Sequence, residues 1–113
     1  MKIQGLFAVA NVADMDKGEA FYTKLLGRAP DDRPMDGLIQ WRQNYFGIQL
    51  FRAAEKAGRS RMTIVTPDMA DTRAQLASRG LELEADIEGD FGKIAQIYDP
   101  EGNQITLAEP PRS

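Results

Sequence analysis

The sequence contains no cysteine and no histidine. The first absence excludes disulfides, thiolate nucleophiles and zinc–sulfur sites. The second removes the commonest metal-ligating side chain and the commonest general base near neutral pH. Long apolar runs are also missing: no stretch approaches the ~18 residues of a membrane-spanning helix. The opening MKIQGLFAVANVAD is too short and too interrupted by polar residues for a signal peptide. A soluble cytoplasmic protein with no membrane partner is expected. Positive charge is in the minority, with 14 Lys and Arg against 17 Asp and Glu and a net charge of -3. Nucleic acid is therefore not an expected partner, because such binding rests on basic residues neutralising phosphates.

What remains is ordinary globular material. The 113 residues are 42% hydrophobic and 27% charged, which fits a single domain spanning 1–113. A chain of this size hides roughly two-thirds of its unfolded surface and needs no staples.

Along the chain, IQGLFAVANV (3–12) reads as a strand. Asp14 suits a helix N-cap, and Met15, Phe21, Tyr22, Leu25 and Leu26 recur at helical spacing before Gly27 closes the helix. RAPDDRPMDG (28–37) is turn-rich and holds at most a short edge strand. Segments 37–44 and 46–52 follow as a hairpin, and 53–60 is a polar linker. The order then repeats. Segment 61–66 is a strand, Asp68 caps a helix with Asp71 placed for a capping box, and Gly80 closes it. ELEADIEGD (82–90) alternates at the period of a half-buried strand, and 93–99 and 103–109 are joined by the turn DPEG.

The halves match. VADMD (12–16) corresponds to TPDMA (66–70), and GIQL (47–50) corresponds to QITL (104–107). Each half reads strand, helix and three strands, and one such unit alone leaves a face of its sheet bare. With V-A-D-M-D…F-Y-T-K-L-L-G (12–27) in the first half and Y-D-P-E-G-N-Q-I-T-L (98–107) in the second, the chain resembles the glyoxalase / bleomycin-resistance / extradiol-dioxygenase (vicinal oxygen chelate) superfamily. The resemblance implies an α+β fold of two paired βαβββ modules, 1–53 and 60–110, forming a curled, cavity-enclosing mixed sheet. It also implies a homodimer. Metal-using members of that superfamily carry ligands, typically His or Glu, on the first and last strands of each module. Those positions fall here on Phe7, Gln49, Arg61 and Thr106. Phe7 offers no lone pair, Arg61 is a fixed cation, and Gln49 and Thr106 are weak neutral donors. No metal and no cofactor is expected.

Strand alternation, carried from those positions, turns Gly5, Phe7, Val9 and Asn11 inward, with Gly47, Gln49 and Phe51. The second half contributes Arg61, Thr63, Val65, Gln104, Thr106 and Ala108. Trp41 can face either side. The candidate ligand-binding set is thus Phe7, Trp41, Gln49, Phe51, Arg61 and Thr106. Its rings suit a flat ligand, oriented by Gln49 and Arg61. Each residue also has a plainer reading: Phe7 and Phe51 as plugs, Trp41 as core, Gln49 as a strand hydrogen-bonder, Arg61 as a solvated charge.

Acids at 82, 84, 86, 88 and 90 would lie on one strand face, about 6.5–7 Å apart, either steering cations or guarding an edge. The cluster Asp31, Asp32 and Asp36 is an oxygen-only place for Mg²⁺ or Ca²⁺, or a polar loop. The function expected is binding of a small aromatic or cationic molecule in a metal-free cavity without metal-dependent catalysis. The alternative is a metal-independent isomerase or lyase, for which no catalytic residue is identified, since no inward position carries Asp or Glu. Tyr45, Tyr98, Glu101 and Glu109 would reach the site only by loop placement.

Overall fold

The computed structural model describes residues 1–111 of the chain. Its elements are β1 (Leu6–Val12), α1 (Met15–Leu26), β2 (Asp32–Met35), β3 (Leu38–Gln43) and β4 (Phe46–Arg52), then β5 (Arg61–Val65), α2 (Met69–Ser78), β6 (Ile87–Gly89), β7 (Gly92–Tyr98) and β8 (Gln104–Glu109). They build two four-stranded mixed sheets, ordered β1-β4-β3-β2 and β5-β8-β7-β6. In each sheet the first strand of the half pairs in parallel with the last, and the last pairs antiparallel with the third. The fold class implied by the resemblance is the one observed. Among the described residues, no helix is long and apolar enough to cross a membrane.

Both helices start and stop where the side chains dictate. The Asp14 carboxylate accepts from Lys17 N–H at 3.0 Å, and Gly27, at φ 76°, donates its N–H to Thr23 O. Asp68 accepts from Asp71 N–H at 3.0 Å. Gly18, Phe21, Tyr22 and Leu25 form the buried stripe of α1, and Met69 and Leu76 are buried on α2. Under the helices the strands contribute every second residue: Ala10 and Val12, Ile39 and Trp41, Ile48 and Leu50, Ala95 and Ile97, Ile105 and Leu107. These residues form one core that runs through both halves of the chain.

Two strands are shorter than their sequence pattern predicts. β1 begins at Leu6 rather than residue 3, and β6 is confined to Ile87–Gly89. The second difference has a clear cause. The Arg73 guanidinium donates to the carbonyls of Leu83 and Glu84, at 3.1 and 3.0 Å, and pairs with Asp86. These carbonyls are therefore held by a side chain from α2. Leu83 still drops into the core, and Glu84 N–H still reaches Gln96 O at 2.9 Å. The five acids consequently do not share the face of one strand.

The turn YDPEGN fastens the two halves to each other. Asp99 is 4% exposed, yet its carboxylate accepts from Tyr22 O–H at 3.0 Å, Asn103 Nδ2 at 2.7 Å, and the N–H groups of Glu101 and Asn103. Asn103 Nδ2 also donates to Asn11 O, and Asn103 Oδ1 accepts from Ser60 N–H. The Glu101 carboxylate takes the N–H groups of Ala13 and Asp14, at 2.7 and 2.8 Å, at the entry to α1. The linker end joins in through Ser60 Oγ, which accepts from Asn11 N–H at 2.9 Å.

Candidate functional site on the helix-free faces of the sheets

Because one face of each sheet packs under a helix, the opposite face carries the alternate residues. On β1 these are Phe7, Val9 and Asn11; on β4 they are Gly47, Gln49 and Phe51. Arg61, Thr63 and Val65 occupy the same face of β5, and Gln104, Thr106 and Ala108 that of β8. Val9 and Val65 are exposed there, at 37% and 66%.

The polar groups on these faces are organised in matching pairs. In the first sheet Gln49 sits directly opposite Gln40, and its Nε2 donates to Gln40 Oε1 at 2.9 Å. In the second, Thr106 sits opposite Gln96 and its hydroxyl donates to Gln96 Oε1 at 2.7 Å. The two pairs occupy equivalent places, on the third and fourth strands of each half. Beside the second pair, Arg61 Nε donates to Gln104 Oε1 at 2.9 Å, and Gln104 Nε2 reaches Tyr98 Oη at 3.4 Å. Each pair leaves amide N–H groups and oxygen lone pairs over for a ligand. Gln40, Gln96 and Tyr98 are absent from the candidate set of six. Period-two alternation on 38–43 and 93–98, combined with the hairpin register, is the signal that finds them.

The structure places the six candidates as follows. Arg61 and Thr106 come together in a cavity of about 420 Å³, with Met62, Thr63, Gln96 and Gln104. Phe7, Gln49 and Phe51 share the helix-free face of the first sheet. Trp41 lies on the other side. It is 2% exposed, pairs across the sheet with Ile48, has its ring 6.1 Å from that of Tyr22, and donates its indole N–H to Arg28 O at 2.9 Å. Its polar atom is satisfied by backbone within the helix layer.

A second cavity, about 450 Å³, opens at the seam between the halves, where Leu26, Trp41, Ile48, Met62, Ile64 and Val65 line it. It is the more apolar of the two. Ligand sites combine such surface with a few convergent polar groups. Those groups converge on the helix-free faces, and the guanidinium groups of Arg28 and Arg42 at the seam are already paired with Asp31 and Asp32.

Other acids are also committed. Asp36 pairs with Arg52. Arg28 draws Asp31 below the usual carboxylate range, chiefly through its hydrogen bond, and Arg33 does the same to Glu19. Glu109 Oε1 accepts from Met69 N–H at the start of α2. Burial, reinforced by the Asp99 charge, pushes the Tyr22 phenol far above its ordinary value.

A family model for a glyoxalase-like domain matches residues 7–108. The chain belongs to that family. A glyoxalase / bleomycin resistance protein from Catenulispora acidiphila DSM 44928 is 26% identical, with a TM-score of 0.86 over 95% of this chain and 98% of that one. TnmS3, an antibiotic binding protein from Streptomyces sp. CB03234, is 24% identical at a TM-score of 0.78, covering 98% of this chain and 97% of its own. A bleomycin-binding protein from Streptomyces verticillus, complexed with copper(II)-bleomycin, is 17% identical at 0.79, covering 98% and 99%. The search of curated proteins found no match.

In this glyoxalase-like domain the four positions that the resemblance marks for metal ligands do not form a ligand set. The Arg61 guanidinium is a fixed cation, the Thr106 hydroxyl is engaged by Gln96, and Gln49 by Gln40. Among the described residues, no three Asp or Glu side chains lie together in a way that could hold a metal ion.

Proposed function

We propose that this glyoxalase-like domain binds a small aromatic molecule against the helix-free faces of its two sheets, without a resident metal and without metal-dependent catalysis. One observation carries the reading: the positions marked for metal ligands hold Phe7, Gln49, Arg61 and Thr106, and three of these are built into hydrogen-bonded pairs that present amide and guanidinium N–H groups. Such groups orient a ligand and do not grip a soft cation. Phe7 and Phe51 supply the ring surface for stacking, worth about 0.5–1.5 kcal/mol per well-placed aromatic pair. Two structural neighbours, one described as an antibiotic binding protein and one as a bleomycin-binding protein, support the same direction.

A second copy of the chain closes the site. Val9 and Val65 are exposed on the ligand-facing side, and Leu6 and Phe46, paired at the start of β1 and β4, are exposed at 76% and 55%. Pairing two chains removes this apolar area from water at roughly 25 cal/mol per Å². Sedimentation velocity should show a homodimer at micromolar concentration. A monomer at every concentration up to ~1 mM would overturn this part.

The binding reading is tested by titrating an aromatic library into protein exhaustively treated with EDTA, followed by ¹⁵N chemical-shift mapping. Binding should survive chelation, and Gln49→Leu should weaken it about tenfold, the loss of one hydrogen-bonding group. Binding that vanishes on chelation and returns with added nickel, zinc or iron would sink the proposal.

A further inference from the structure

The charges on the helix-free faces define the chemical class of the ligand more closely, provided those faces are the binding site. At the helix-free positions of β1, β3, β4, β5, β7 and β8 there is no Asp or Glu among the described residues, and on β2 the residue opposite Gln40 is Asp32. Two arginines are present. Arg42 is neutralised by Asp32, with Nε 2.8 Å from the carboxylate. Arg61 makes none of the ion pairs found among the described residues.

The surroundings of Arg61 point its charge outward. Gln104 Oε1 holds Nε at 2.9 Å, which leaves the two terminal nitrogens of the guanidinium, with four N–H groups, unused by that bond. Tyr98 in turn receives Gln104 Nε2 at 3.4 Å, so the amide that fixes the guanidinium is itself held. Next to it Thr106 spends its hydroxyl proton on the Oε1 of Gln96, another lining residue, which leaves the Gln96 amide nitrogen, a donor, outside that bond. The cavity is therefore rich in donors and carries one uncompensated positive charge, although the chain as a whole is at -3.

We infer that the ligand is an aromatic anion, a ring system bearing a carboxylate or comparable oxyanion, and that Arg61 receives the anion. This narrows the sequence-based expectation of an aromatic or cationic molecule: in the cavity beside Arg61 a cation would meet a guanidinium, and no side chain lining that cavity is a carboxylate. A planar guanidinium held by its Nε offers its two terminal nitrogens as a fork that matches a carboxylate.

Three naphthyl probes of similar size, one anionic, one neutral and one cationic, test the inference: 2-naphthoate, 2-naphthamide and 2-naphthylmethylammonium, titrated calorimetrically at low ionic strength. Wild-type protein should bind naphthoate about fivefold to tenfold more tightly than naphthamide, and the ammonium compound most weakly. Arg61→Gln should remove the preference for naphthoate over naphthamide, lowering naphthoate affinity the more of the two. Arg61→Lys should keep part of it, and ~0.5 M salt should compress it. Gln104→Leu, which frees Nε without touching the charge, should lower it about twofold to threefold. Equal binding of naphthoate and naphthamide, a preference for the ammonium compound, or a preference that survives Arg61→Gln would overturn the charge assignment while leaving the binding site standing. If none of the three binds, the helix-free faces are not an aromatic site and both proposals fall together.

Discussion

The bond between Tyr22 and Asp99 is the most informative place to perturb the structure. It joins α1 of the first half to the β7–β8 turn of the second, at 3.0 Å, with Tyr22 fully buried and Asp99 4% exposed. Tyr22→Phe removes one oxygen and keeps the ring, with its edge-on contact to Phe21 at 5.2 Å and its contact to Trp41. Hydrogen bonds to a charged group contribute about 1.5–3 kcal/mol. Asp99 keeps three other donors, from Asn103 Nδ2 and the N–H groups of Glu101 and Asn103. The carboxylate is therefore not stranded, and the cost falls at the low end, about 1.5 kcal/mol. For a domain of this length that corresponds to a drop in Tm of about 6 °C. Urea unfolding monitored by circular dichroism should show a lower midpoint with an unchanged slope, since the surface exposed on unfolding stays the same. Tyr22→Ala should cost far more, about 3–5 kcal/mol, because it also empties ring volume from the core. A Tyr22→Phe protein within about 0.3 kcal/mol of wild type, far short of a hydrogen bond to a charged group, would show that this turn does not fasten the halves together.

Further outcomes follow from the same contacts. Tyr22 retains its proton in the folded chain well beyond its ordinary value, so the stability it contributes is complete below about pH 10 and declines as pH rises above that; the alkaline decline should be shallower in Tyr22→Phe. Glu19 and Asp31 are held below the ordinary carboxylate range, so their contribution is present above that range and fades as pH falls through and below it, seen as a falling urea midpoint on acidification. Glu101→Ala leaves the N–H groups of Ala13 and Asp14 to water and should cost about 1 kcal/mol by thermal denaturation. Trp41, buried at 2% on the helix side, should emit at short wavelength, resist acrylamide quenching, and change little when a ligand occupies the helix-free faces; strong quenching on ligand binding would place the ligand in the seam cavity instead.

Much of the architecture is legible in the chain because local signals agree with the global fold. Asp14 and Asp68 cap the helices they precede, and the matching of GIQL with QITL marks two strands that occupy equivalent places in the two sheets. The alternation that buries Ile48 and Leu50 also turns Gln49 and Phe51 to the opposite face. Less was legible where a distant side chain decides the outcome. Residues 82–86 alternate like a strand, yet Arg73 takes their carbonyls, and nothing local announces a guanidinium from another element. Trp41 was ambiguous because its indole needs an acceptor. That acceptor is the carbonyl of Arg28, thirteen positions away in sequence, and only the folded chain brings the two together. The partners Gln40 and Gln96 emerge only with the strand register, which fixes who stands opposite whom.

The most direct measurement is a ¹H–¹⁵N correlation spectrum of EDTA-treated protein titrated with an aromatic ligand, read at the side-chain amides. The account predicts that the Gln40, Gln49, Gln96 and Gln104 NH₂ signals move together and saturably, while the Trp41 indole signal stays in place. Movement confined to Trp41 and the seam between the halves, or no movement until a transition metal is restored, would contradict it.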